Sequence, residues 1–287
     1  MMYQGSKRPR EVAQTASPFQ AQSIRPILRW AGGKSLMAER LAETLPSSWE
    51  NYFEPMAGGA ALFFALQPRR AVLADVNSEL MNFYRALQTT PRYLIQRLMS
   101  LTASRDQYYA LRSSRPRGII QRAIRFAYLN RLAWNGLYRV NRSGDFNVPI
   151  GDRLPTVMWS EKELLRASSM LASAELVTGD FRDTVQRAAA GDLVFFDPPY
   201  PRGSRDHVGF NRYTSQFFSE KDHRDLACLI GELTRRSVLV VLTIAGTGYL
   251  EGLYPRAMRR TLTTSKSLIA CNGAGRREVG ELILTNF

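Results

Sequence analysis

Asp197-Pro198-Pro199-Tyr200 follows directly on the apolar run Leu193-Val194-Phe195-Phe196. The run reads as a parallel strand, and α/β sheets place ligands at the carboxyl ends of such strands. Two prolines hold the backbone there extended and rigid, and Pro198 cannot continue a hydrogen-bonded ladder. An acid, a fixed carbonyl and an aromatic ring at one strand end suit a planar base that carries an amino group. The lone pair of such a nitrogen is delocalised into the ring, so it is a poor nucleophile. The Asp197 carboxylate and the Pro198 carbonyl can each accept one N–H hydrogen, which frees the lone pair. Positive charge that then develops on the nitrogen is stabilised by Asp197, while Tyr200 offers a face for stacking. Asp197, Pro198, Pro199 and Tyr200 are therefore the candidate catalytic residues. No Cys/His pairing accompanies them, so a covalent intermediate is not expected. A proline-rich turn is the plain alternative, and it leaves the motif's place after a strand unexplained.

Two glycine motifs precede this one. In Phe53-Glu54-Pro55-Met56-Ala57-Gly58-Gly59-Ala60, glycine after a strand lets backbone approach a ligand at the positive end of the next helix. Asp75 lies 17 residues beyond Gly58, near the spacing at which an acid reaches ribose hydroxyls. Trp30-Ala31-Gly32-Gly33-Lys34 ends in Gly-Lys-Ser but lacks the remaining positions of a P-loop, so a nucleoside triphosphatase is not expected. Taken alone, it is equally a helix-opening turn.

The elements that must hold these residues follow from periodicity. Asn51 to Glu54 reads as a strand end, Ala60 to Leu66 as a helix, and Ala71 to Asp75 as the next strand. That order is a mononucleotide-binding unit. Leu80, Tyr84 and Leu87, then Leu94, Leu98 and Leu101, then Ile120, Ile124, Ala127 and Tyr128 recur at helical spacing. Leu137 to Val140 and Phe146 to Val148 flank Asn141-Arg142-Ser143-Gly144-Asp145, which is hairpin punctuation. Leu193 to Phe196 and Val238 to Leu242 are continuous apolar strands of a mostly parallel sheet. The reading is an α/β domain over residues 24–76 and 171–287, split by a mainly helical insertion over 77–170. Residues 1–23 lack periodicity and read as a disordered basic arm.

The chain has 287 residues and a formal net charge of +14, which implies a polyanionic partner. Residues 77–170 hold 14 Arg and one Lys against 6 Asp and Glu. Arginine's planar fork suits phosphates and guanine edges, although a solvated basic face would look the same. Two cysteines, Cys228 and Cys271, give neither a disulfide framework nor a thiolate metal site. His207 and His223 lack metal-ligand spacing and read as structural or solvated. No stretch is apolar enough for a membrane span or leader, so no membrane partner is expected.

The three motifs, in this order, resemble the Dam-type family of DNA adenine-N6 methyltransferases, the D12 class and alpha group. The resemblance covers about Pro26 to Leu284. It includes Tyr128-Leu129-Asn130-Arg131, Trp134-Asn135-Gly136-Leu137-Tyr138-Arg139, Gly144-Asp145-Phe146-Asn147-Val148-Pro149, Asn272-Gly273, Arg276-Arg277 and Glu281-Leu282. It implies a Rossmann-like S-adenosylmethionine-dependent methyltransferase sheet whose mainly helical target-recognition insertion carries a β-hairpin. S-adenosylmethionine is the implied cofactor and double-stranded DNA the partner. Trp30, Lys34, Glu54, Gly58 and Asp75 would line the cofactor site, bordered by Asp197, with Asp180 and Phe181 holding the cofactor's adenine. Arg29, Asn135, Leu137, Arg139, Pro149, Arg153, Asn272, Arg276 and Arg277 would face DNA. Arg139 would read guanine, and Leu137 and Pro149 would touch a thymine methyl.

The implied reaction methylates a flipped adenine within GATC or a related short site, in a cytoplasmic monomer or weak dimer from a bacterium or phage. Departures from the family pattern are Arg29 for lysine, Met56 for an aromatic, Ala60 for glycine, Asp152-Arg153 for an aromatic, and Thr243-Ile244-Ala245-Gly246 for a more polar segment. Two other readings are a catalytically weak DNA-binding regulator of this fold and an amino methyltransferase acting on cytosine N4. Asp197 favours adenine, because cytosine enzymes more often carry Ser at that position. RNA is disfavoured, since its major groove is too narrow to read.

Overall fold

Leu193–Phe196 is buried along its whole length, as are Tyr52–Glu54 and all but the last residue of Ala71–Asp75. Such strands need cover on both faces, as parallel sheets have. The computed structural model describes residues 14–15, 26–30, 32–34, 37–199, 218–245, 252–255, 258–266 and 278–287. Two short strands, β1 (Gln14–Thr15) and β2 (Ser48–Trp49), pair antiparallel, so part of the arm read as disordered is tied to the body. The main sheet contains β3 (Tyr52–Glu54), β4 (Ala71–Asp75), β5 (Ala174–Thr178), β6 (Leu193–Phe196), β7 (Leu239–Ala245), β8 (Arg259–Lys266) and β9 (Glu278–Thr285). Their order in space is β5-β4-β3-β6-β7-β9-β8. β3 to β7 run parallel, and β9 runs antiparallel to both β7 and β8. The chain builds outward from β3 to β5, then returns to lay β6 on the other side of β3. Winding reverses between β3 and β6, and ligands bind outside the carboxyl ends of the strands at such a point. This is the Rossmann-like sheet expected from the sequence.

The helices are α1 (Ala38–Glu43), α2 (Ala61–Leu66), α3 (Ser78–Thr89), α4 (Pro91–Met99), α5 (Arg105–Ser113), α6 (Ile119–Leu132), α7 (Glu161–Leu171), α8 (Phe181–Thr184) and α9 (Glu220–Arg235). Their starts carry the expected chemistry: Asn77, Ser104, Ser160 and Asp180 side chains accept first-turn N–H groups, and Pro91 opens α4. A Ser219–Asp222 capping box starts α9. Side chains alternate along β6, so Leu193 and Phe195 enter one core while Val194 and Phe196 enter another. Leu226, Ile230 and Leu233 of α9 close the second core and are fully buried. Each contributes about 1.5–3 kcal/mol.

The first core is the larger. It passes from Leu73, Phe195, Val241 and Ile283 of the sheet into Leu80, Phe83, Leu98, Phe126, Val148 and Leu164 of segment 77–170. That segment is helical, as expected, and shares the sheet's core rather than enclosing a separate one. The expected hairpin is a pair of single bridges, Ala133 with Ile150 and Val140 with Phe146. Its turn is fixed by Asn141, whose N–H donates to the Asp145 carbonyl and whose side chain accepts from Asp145 N, both at 2.8 Å. Tyr108 and Arg112 of α5 donate to the Val148 carbonyl at 3.1 and 3.2 Å and dock the hairpin on the helices.

Candidate active site

Parallel pairing of Phe196 with Leu242 brings the next residues of both strands, Asp197 and Thr243, to the same end of the sheet. The Thr243 hydroxyl donates to Asp197 Oδ1 at 2.7 Å, and Lys34 Nζ reaches the same oxygen at 2.7 Å. Lys34 is itself 4% exposed, donates to the Gly32 carbonyl at 2.8 Å and lies 3.9 Å from Glu281 Oε1. Burial pushes the Asp197 carboxyl above its ordinary range, Lys34 and Thr243 pull it back, and Glu281 raises it again. The lysine expected to line a cofactor pocket thus neutralises the candidate catalytic acid. Pro198 and Pro199 continue from Asp197, whereas Tyr200 lies outside the described residues.

At the end of β3, Glu54 is 2% exposed. Its Oε2 accepts from the Tyr52 hydroxyl at 2.8 Å and from Phe63 N at 3.2 Å. Burial is the main cause that raises its carboxyl from 4.5 to about 8, and Asp197 adds to it. Asp75 ends β4 and is likewise raised by burial. Its two oxygens accept from Gly58 N at 3.0 Å and Asn77 N at 2.8 Å, so it ties the glycine loop to the neighbouring strand. Each oxygen keeps a lone pair for a further donor such as a hydroxyl. Burial raises all three carboxyl groups at these neighbouring strand ends, and a cationic ligand would favour their charged forms.

Gly58 has φ of 47°, and a Cβ there would sit 2.6 Å from Trp30 Cδ1. Trp30 cannot easily yield, because it stacks on Tyr138 with centroids 5.7 Å apart. Trp30 therefore forms the back of the loop. Ala60 also lies in the left-handed region, with φ of 51°. That costs about 1–2 kcal/mol for a residue with a Cβ. Its methyl is fully buried in the core, which offsets about 0.8 kcal/mol. Met56 packs against the second core.

Asp180 caps α8, and both its oxygens accept from Arg182 Nη1, at 3.0 and 2.9 Å. Arg182 also binds Asp222 and Asp225 of α9. Phe181 is buried at 4% and meets Phe196 edge-on at 6.5 Å. His223, read as structural or solvated, is buried, with Nδ1 3.4 Å from the Tyr254 hydroxyl. Burial holds its pKa below the ordinary value.

Of the residues expected to face DNA, Arg29, Asn135, Pro149 and Arg153 are exposed and Arg139 is half-buried. Arg139 Nε donates to Asn147 at 2.8 Å across the hairpin, and its Nη groups make no hydrogen bond among the described residues. Leu137 is the correction: it is 3% exposed and its side chain lies in the first core. Asn135 and Gly136 before it have φ of 53° and 65°, a twist that simple strand alternation omits. Asn272, Arg276 and Arg277 lie outside the described residues. Asn130, to which the sequence pattern gives no role, clamps the Arg29 backbone by accepting from its N–H at 2.9 Å and donating to its carbonyl at 2.6 Å. Thr243 was visible only as a departure from a family pattern.

Acidic groups gathered at adjacent strand ends next to a glycine loop, where the sheet's winding reverses, stand where α/β sheets bind their ligands. Among the described residues no cluster of His, Cys, Asp or Glu could hold a metal ion, and no helix is long and apolar enough to cross a membrane. A family model for D12 class N6 adenine-specific DNA methyltransferases matches residues 30–262, and the chain belongs to that family. It is 36% identical over 279 residues to the Type II methyltransferase M1.LlaDCHI of Lactococcus lactis subsp. cremoris, covering 92% of this chain and 96% of that one. It is 33% identical over 269 residues to the DNA adenine methylase of Serratia marcescens, covering 90% and 97%. The DNA adenine methylase of Escherichia coli K12 is 30% identical over 265 residues, covering 90% and 94%.

Proposed function

We propose that the chain transfers a methyl group from S-adenosylmethionine to N6 of an adenine flipped out of double-stranded DNA, within GATC or a related short site. The observation that carries this reading is the Asp197 carboxylate, held through one oxygen by Lys34 and Thr243 at the end of β6. Asp75, whose oxygens each keep an acceptor site, suits a cofactor that carries ribose hydroxyls, and a positive charge on that cofactor would favour the charged forms of the desolvated Glu54 and Asp197. Glu54, Gly58 and Asp75 would hold it, with Trp30 behind the loop, and Asp180 and Phe181 on its adenine side. When bound, S-adenosylmethionine supplies an electrophilic methyl on a sulfonium. The chain's own work is to prepare the nucleophile. The uncommitted oxygen of Asp197 and the Pro198 carbonyl each accept an N6 hydrogen, localising the lone pair on nitrogen. As the nitrogen becomes positive, the Asp197 charge stabilises it more strongly than it stabilised the neutral base.

N6 of a stacked adenine lies in the major groove and cannot reach a carboxylate recessed at the end of a sheet strand, so the base must leave the stack. The net charge of segment 77–170, with Asn135, Arg139, Pro149 and Arg153 at its surface, supports docking of the hairpin on duplex DNA. The test is Asp197→Ala with methylated adenines mapped by sequencing. Single-turnover transfer is expected to fall by at least about a thousandfold, with DNA binding retained. Near wild-type transfer in the variant would remove Asp197 from the chemistry. A rise in 2-aminopurine fluorescence at the target position on binding checks extrusion separately.

A further inference from the structure

Thr243 is wholly buried, and its hydroxyl has two acceptors within reach: Asp197 Oδ1 at 2.7 Å and the Phe196 carbonyl at 3.4 Å. It has one proton to give, and the shorter bond to the charged acceptor is much the stronger. Lys34 Nζ addresses the same Oδ1 at 2.7 Å. Asp197 Oδ2 accepts no hydrogen bond among the described residues. A carboxylate turns readily about its last torsion, whose wells are broad and two-fold. The Lys34 ammonium restrains that rotation poorly, because it acts as a point charge with rotatable donors. A hydroxyl fixed on a sheet strand is directional. The strand register, with Phe196 opposite Leu242, keeps Thr243 beside Asp197.

We infer that Thr243 is a positioning residue for methyl transfer. Its hydroxyl, together with Lys34, commits one oxygen of Asp197 and sets the carboxylate plane so that the other oxygen receives the amino N–H of the substrate. The inference rests on the amino-group methylation proposed above. It also assigns a task to the first residue of the segment Thr243-Ile244-Ala245-Gly246, which departs from the family pattern.

The experiment compares Thr243→Val, which keeps the β-branched shape, with Thr243→Ser, which keeps the hydroxyl. Single-turnover methylation is measured at saturating DNA and S-adenosylmethionine, alongside dissociation constants for both. Thr243→Val is expected to be about 10- to 100-fold slower and Thr243→Ser within about threefold of wild type, the difference made by one hydrogen bond to a charged acceptor. Both dissociation constants are expected to stay within about twofold of wild type. The acid limb of the rate–pH profile should move to higher pH in Thr243→Val, because Thr243 helps hold down a carboxyl that burial raises. The charged groups that act on Asp197, namely Lys34, Glu54 and Glu281, are unchanged in the variant.

A merely structural threonine would lower binding and melting temperature together and leave the acid limb in place. That result, or a full rate in Thr243→Val, overturns the inference. Should Thr243→Val fail to fold, Thr243→Ala against Thr243→Ser is measured in the same way, and equal rates overturn it. A wild-type chain that transfers no methyl group overturns the underlying reaction and this inference with it, a result distinct from every outcome among the variants.

Discussion

A carboxyl group buried beneath a glycine loop must find a cation or hold a proton. Glu54 holds a proton, with burial lifting it from 4.5 to about 8. Between those values the folded chain keeps a proton that the unfolded chain has released. The associated stability is therefore complete below the lower value and is lost as pH rises through the upper one. Glu54→Gln mimics the protonated acid, so its melting temperature should fall less than wild type's between about pH 5 and pH 9. Parallel melting curves over that range would show that Glu54 does not titrate as described. Gly58 makes a separate demand at the same loop. In Gly58→Ala, a left-handed φ and a Cβ 2.6 Å from the Trp30 ring act together. The expected loss is about 2–4 kcal/mol of stability with loss of cofactor affinity, and an unchanged denaturation midpoint would show that Trp30 can move. Legibility differed between these residues. The glycine and the acid stood out as residue types, but the raised pKa of Glu54 comes from burial and from Asp197, and is held back by the Tyr52 and Phe63 donors, surroundings that only the folded chain assembles.

Among the elements, the hairpin, proposed above to dock on DNA, is tied to the helices through Tyr108 and Arg112. Among the described residues Arg139 hydrogen-bonds through Nε alone, to Asn147, a geometry that suits the proposed bidentate contact of its terminal amino groups with a guanine edge. Arg139→Ala should cost about 1–3 kcal/mol of discrimination at one base pair, read as raised methylation of sites substituted at a single guanine relative to the cognate site. A uniform loss on every sequence, with a shallower salt dependence, would instead mark Arg139 as a phosphate contact. The elements themselves were unevenly visible. β3, β4, β6 and β7 announce themselves as apolar runs because they are buried on both faces. β8, Arg-Arg-Thr-Leu-Thr-Thr-Ser-Lys, lies at the sheet edge and leaves Leu262 70% exposed, so it has no such run to read. The Asp197–Thr243 bond joins residues 46 apart and depends on strand register, which local periodicity does not contain. Leu137 shows the opposite error, since a residue beside base-reading candidates turned inward once its neighbours took positive φ.

For the whole molecule, the governing feature is the continuity of the first core from the sheet into segment 77–170. Elements that share one core unfold together, so calorimetry should give a single transition whose van't Hoff and calorimetric enthalpies agree. Two resolved transitions would show that the helical segment is held independently. The shared core also limits how such enzymes can exchange parts. A detachable reading head could be traded between relatives to give new target sites while the catalytic half stayed intact. Here the same segment supplies Leu80, Phe83 and Phe126 to the packing on which the catalytic strands rest. A transplanted 77–170 would bring half of a jigsaw cut for another partner, with overpacking or voids costing about 1–5 kcal/mol at each mismatch. New specificity should arise more readily from changes at the exposed Asn135, Pro149 and Arg153 and the half-buried Arg139 than from exchange of the segment as a block.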